Sequence, residues 1–170
     1  MKMKQLMIGI FALMSVGATA QLELGGALVF GTEISTIGLQ ARGQYEITEE
    51  FDGTANLTYF FPKTEGVSGF EVKLSMFTIN FDGHYNAYSS GTVEVYPLLG
   101  LNISIVTIKT DFDIPGTTTS AKLSDTNVGL NVGGGAAFEI SDGLNAFGEL
   151  KYVASSFDQL VISAGIMKTL

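Results

Sequence analysis

The chain has no cysteine, one histidine and one arginine in 170 residues. Without cysteine there is no disulfide scaffold, no thiolate metal site and no acylated N-terminal cysteine of a lipoprotein. Charge is also scarce, at 15% of residues against about 25% in a typical soluble domain. Hydrophobic residues nevertheless make up 46%, so much of the surface is expected to avoid water. No stretch reaches the roughly 18 apolar residues of a membrane-spanning helix. A formal charge of −8 argues against nucleic acid, whose phosphates demand a basic surface.

Residues 1–20 read as a cleavable secretory signal. Lys2 and Lys4 precede an apolar core, Leu6 to Val16, which ends at the small residues Ala18-Thr19-Ala20. Their removal leaves residues 21–170 as a single exported domain with a formal charge of −10.

The organising stretch is Ile37 to Ile47. Its odd positions are Ile37, Leu39, Ala41, Gly43, Tyr45 and Ile47, while its even positions are Gly38, Gln40, Arg42, Gln44 and Glu46. A strand sends successive side chains to opposite faces, so one face is free of charge and the other polar. Its length suits a tilted transmembrane strand of roughly 9–11 residues. Similar alternation recurs from Leu22 to Leu170 and predicts eight strands, with the phase of the fourth, over 70–85, reconciled by a bulge near Ser75–Phe77. Connections at 48–50, 86–91 and 141–143 are short, whereas 62–69 and the polar segment Ile108 to Asp125 read as longer loops at the other end.

Alternation alone does not say which face meets solvent, because a soluble eight-stranded barrel buries its apolar side. Two features favour lipid outside. The polar face is mostly Gln, Asn, Thr, Ser and Gly, poorer in charge than a wet surface of some 25–35% charged residues. The aromatics of the apolar face also gather at two levels, with Tyr45, Phe51, Phe81, Tyr85 and Phe138 towards one end and Phe30, Tyr59, Phe61 and Tyr152 towards the other. The expected fold is therefore all-β: a closed, eight-stranded antiparallel up-and-down transmembrane barrel. Closure also satisfies the backbone groups that hydrocarbon cannot. Bulky inward residues Phe60, Tyr96, Leu98, Phe147 and Met167 predict a filled interior.

Arg42 points inward from mid-strand and needs carboxylate partners; Glu23 and Glu46 are its candidates. Gln40, Gln44, Glu149 and Lys151 complete the expected lumen network. No catalytic, metal or cofactor site is expected. His84 and Asp82 read as lumen residues, Asp111 and Asp113 as solvated acids. Gly129 to Gly135 lacks the following helix of a phosphate-binding loop.

Tyr96-Pro97-Leu98-Leu99-Gly100-Leu101 after a short turn resembles the fifth strand of the small outer-membrane β-barrel family of Bacteroidetes-type bacteria. The close of the chain is similar too: a glycine-rich strand from Gly129, the turn Ser141-Asp142-Gly143, and Ser163-Ala164-Gly165. Such proteins share the plan of OmpX and of the OmpA membrane domain. The resemblance implies residence in the outer membrane of a Gram-negative bacterium, no enzymatic activity and no cofactor. Its implied partners are outer-membrane lipids, the barrel assembly machinery and an extracellular ligand of the loops, notably 108–125, with the protein itself monomeric. A small-solute porin and a lipid-modifying enzyme are the competing readings.

Overall fold

A computed structural model of the chain describes residues 21–67, 70–114 and 117–170. The expected signal segment lies outside the described residues. Eight long strands follow one another: β1 (Leu22–Gly31), β2 (Thr36–Thr48), β3 (Phe51–Val67), β4 (Phe70–Tyr85), β5 (Val93–Ile114), β6 (Thr117–Ser141), β7 (Leu144–Ala154) and β8 (Gln159–Thr169). A two-residue piece, Tyr88–Ser89, pairs with Val95 and Glu94 at the foot of β5. Every long strand pairs antiparallel with its sequence neighbours, and β1 with β8 closes the ring.

The apolar phase faces outward. Leu39, Leu57, Leu130 and Leu150 are 54%, 50%, 56% and 49% exposed. Phe30, Tyr59, Phe61 and Tyr152 at one level, and Phe51, Phe81, Tyr85 and Phe138 at the other, are exposed as well. The inward phase is buried, including Phe60, Tyr96, Leu98, Phe147 and Met167. Water cannot be the solvent of so many large apolar side chains, since contiguous apolar patches on soluble monomers are limited to a few hundred Å².

Two expectations are corrected. Residues 108–125 and 62–69 are not loops over most of their length. β5 and β6 continue in register from Ile108↔Leu123 to Ile114↔Thr117, and β3 with β4 from Lys63↔Leu74 to Val67↔Phe70. The alternation that marks a membrane strand fades there: Ile108 and Leu123 on the inward phase are exposed along with Lys109 and Lys122 on the outward phase, so a Thr- and Ser-rich sequence with no contrast between faces reads as loop. The bulge, moreover, lies on β3 and not on β4. Pairing jumps between Phe60↔Met76 and Lys63↔Leu74, which leaves an extra residue in the Phe61–Pro62 region. β4 keeps one phase throughout its pairing with β5. Its inward Leu74 and Met76 are apolar because they enter an apolar part of the interior.

At the opposite end two of the three connections, 49–50 and 142–143, are two-residue turns, and the third, 86–92, carries the short Tyr88–Ser89 piece. Asp142-Gly143 links Ser141 to Leu144, with Gly143 at φ +64°, a left-handed conformation that glycine adopts without steric cost.

Candidate functional site

The interior divides into three levels. In the middle sit two buried cations and their acids. Arg42 donates from Nη1 to Glu149 Oε2 at 2.8 Å, and both side chains are 1% exposed. Its Nη2 donates to Gln44 Oε1 at 3.3 Å, and its guanidinium lies 4.4 Å above the Phe147 ring. Tyr96 donates to the same Glu149 oxygen at 3.4 Å, and its ring stacks on His84 with centroids 4.3 Å apart and planes 8° from parallel. Lys151 Nζ pairs with Asp82 Oδ2 at 3.0 Å and lies 3.8 Å from Glu149 Oε1. Asp82 also accepts from Asn131 and Asn56, while Asn80 accepts from Asn102 and Asn131. Two cations facing two anions leave this level without net charge, which is what makes such burial tolerable.

Towards the projecting strands an apolar plug closes the interior. Val29, Ile34, Phe60, Met76, Val106, Val153 and Val161 form it, with Leu74 and Phe157 packed against them. Ile34 reaches inward from the β1–β2 turn, where Ser35 adopts φ +52° and its hydroxyl donates to Thr32 O. Towards the tight turns the interior opens into a cup of about 520 Å³. Glu23, Glu46, Asp52, Glu94 and Glu139 are among the residues lining it, with Arg42 and Phe147 also in its wall.

The structure brings together Arg42, Gln44, Glu149 and Lys151 from the expected lumen set. It does not bring Glu23 or Glu46 to Arg42. Glu23 accepts instead from Asn145 and Thr169, and Glu46 lines the cup. Gln40 is buried apart from the ion pairs and donates to Thr58. The partner of Arg42 therefore comes from β7, 107 residues away and across the lumen, which strand neighbourhood cannot reveal. Sequence reasoning also missed the central acceptor role of Asp82 and the ladder of Asn80, Asn102 and Asn131. Their signal was inward phase at one level of β4, β5 and β6.

Gly135 makes room for this level. A methyl group there would lie 2.6 Å from Tyr96 Oη and 2.8 Å from Gly148 O, closer than packed atoms come. Among the described residues no group of three or more His, Cys, Asp or Glu is placed to hold a metal ion, and no helix is long and apolar enough to cross a membrane.

Above the plug, β3–β6 leave the ring as a four-stranded sheet. β2 pairs with β3 only as far as Phe60, and β7 with β6 only from Leu130. Phe61–Val67 and Thr117–Gly129 are thus the outer edges, without a neighbouring strand among the described residues. Exposed apolar staves, aromatic rings at two levels, a charge-compensated filled interior and tight turns at one end define an outer-membrane β-barrel protein.

The chain belongs to the family described as outer membrane protein beta-barrel domain, which it matches over residues 10–166. That membership implies the bacterial outer membrane. A major outer membrane protein from Thermus thermophilus is similar in fold, with a TM-score of 0.72 at 13% identity, over 89% of this chain and 100% of that one. Ail, the attachment invasion locus protein of Yersinia pestis, is also similar, with a TM-score of 0.60 at 13% identity, over 89% and 97% of the two chains. A de novo designed transmembrane β-barrel shares the fold as well, at 0.52 and 13%, over 88% and 95%. No protein of curated function matches the chain in sequence.

Proposed function

We propose that this protein is a non-conducting, non-catalytic barrel that holds a recognition sheet outside the cell. The observation carrying this reading is the extension of β3–β6 beyond the ring, above an interior filled by ion pairs and an apolar plug. A hydrogen-bonded sheet with open backbone edges presents groups that a partner's extended segment can pair with. The two edges differ. The β3 edge is blunted by Pro62, which has no N–H, and by the bulge beside it. The β6 edge from Thr117 to Gly129 contains no proline, which favours it as the recognition edge. The ligand sought is thus an extracellular protein or peptide, and the barrel acts as a monomer.

A porin would need the Arg42–Glu149 and Lys151–Asp82 pairs and the apolar plug all to part. A lipid-modifying enzyme would need its base at the lipid surface, whereas His84 is 1% exposed and stacked on Tyr96 inside the ring. The test is a planar-bilayer recording of the refolded mature chain beside a pull-down with the intact sheet. Silent bilayers and a captured partner that is lost on trimming β5–β6 are expected. Stable unitary currents would overturn the reading.

A further inference from the structure

We propose that the outward face of the projecting sheet binds the phosphate groups of an anionic lipid in the outer leaflet. The proposal rests on the outer-membrane orientation argued above. Its basis is the strand register. Lys73 of β4 stands directly opposite Lys109 of β5, which stands directly opposite Lys122 of β6. Opposed residues share a face, with Cβ atoms about 4.5–5.5 Å apart, so three ammonium stems leave one face of three adjacent strands within about 11 Å. Like charges placed directly opposite destabilise a sheet. An anion beside such a row relieves that repulsion, as Glu71 already does in its ion pair with Lys73.

The phase of the strands fixes which face this is. On β4, Lys73 shares phase with the outward residues Phe77, Ile79 and Phe81; on β6, Lys122 shares it with Val128 and Leu130. The lysines therefore stand on the lipid side of the barrel wall, not over its mouth. Lys109 and Lys122 are exposed, and Lys73 forms an ion pair with the exposed Glu71 at 3.2 Å. Glu71 and Asp111 occupy a register row farther from the barrel. Anions are thus met first on the side that faces the membrane.

The row between the lysines and the apolar band consists of hydroxyls. Ser75, Thr107 and Ser124 are opposed across the same three strands, and Thr107 and Ser124 lie within hydrogen-bond distance at 3.0 Å. Below them come Phe77 and Ile105, where the apolar band begins. Lys73 is four residues from Phe77, about 13 Å along a strand and less along the membrane normal once the strand tilts. At a tilt of about 35–45° that is roughly 9–11 Å along the normal, against polar zones of roughly 5–7.5 Å on each side of the hydrocarbon core, and the lysine stems, which bend towards an interface, span the difference to the phosphates. Ammonium groups above hydroxyls, at phosphate depth and open to the leaflet, match a phosphorylated headgroup whose acyl chains lie along the apolar band.

The mature chain is refolded into phosphatidylcholine nanodiscs carrying a minor fraction of diphosphoryl lipid A or of the same lipid stripped of phosphate. Gel mobility with and without heating verifies that each variant is folded and inserted, and native mass spectrometry counts the retained lipid. The wild type is expected to retain the phosphorylated lipid about tenfold over phosphatidylcholine at low salt, with the preference shrinking as salt is added. K73Q/K109Q/K122Q should lose the preference while staying folded, and K73R/K109R/K122R should keep it. Equal retention by the glutamine variant, or no preference by inserted wild type for the phosphorylated lipid over its stripped form, would overturn the proposal. Binding of soluble tripolyphosphate as tightly as of the lipid would overturn it too, by moving the ligand into solution. Failure to insert into any bilayer would instead sink the membrane reading beneath it, and the gel detects that before lipid is counted.

Discussion

Arg42 shows how much hangs on one side chain in this interior. Removing it leaves Glu149 buried with Tyr96 at 3.4 Å, Lys151 at 3.8 Å and the His84 ring at 3.9 Å in place of a close cation. Arg42→Ala should therefore destabilise the detergent-folded barrel by about 3–5 kcal/mol, as breaking a buried pair does, read as a lower denaturation midpoint. Replacing both partners with apolar residues of similar size, Arg42→Met with Glu149→Leu, should recover most of the loss; a double variant as weak as the single would contradict the pairing. At Gly135 the mechanism is steric. Gly135→Val must displace the Tyr96 ring from His84 and should lower the thermal midpoint, while Ala136→Val on the outward phase should not. The inward position of Arg42 was legible in the sequence, because period-two alternation fixes phase wherever the two faces differ in polarity. Its partner was not: Glu149 is brought near only by closure of the ring.

The strands themselves divide into a part that the sequence displays and a part that it hides. Within the membrane, lipid on one side and a polar lumen on the other impose strict contrast, and β1, β2, β7 and β8 read directly. Beyond the ring both faces are exposed and the contrast fades, so the ends of β3–β6 looked like loops. β4 was ambiguous for a related reason: Leu74 and Met76 point inward yet are apolar, because the plug above the ion pairs is apolar. The extension should be dispensable for folding, since the ring is complete without it. Ile108 and Leu123 are opposite one another, so replacing residues 109–122 with Asn-Gly supplies a two-residue hairpin turn between them. The trimmed chain should keep its heat-dependent gel mobility and its denaturation midpoint. A chain that no longer folded would show that the sheet supports the ring rather than being carried by it.

For the whole molecule, one inference supports every other. The apolar staves meet hydrocarbon, and the polar residues are enclosed with their charges matched. Because the chain contains no cysteine, single cysteines can carry a nitroxide at any chosen position. In lipid vesicles, labels at Leu39, Leu57, Leu130 and Leu150 should collide freely with oxygen and scarcely with a water-soluble nickel chelate. Labels at the buried Ser104 and Ser163 should meet neither reagent. Immobile, oxygen-shielded labels at the four leucines, as in a soluble protein's core, would contradict the account.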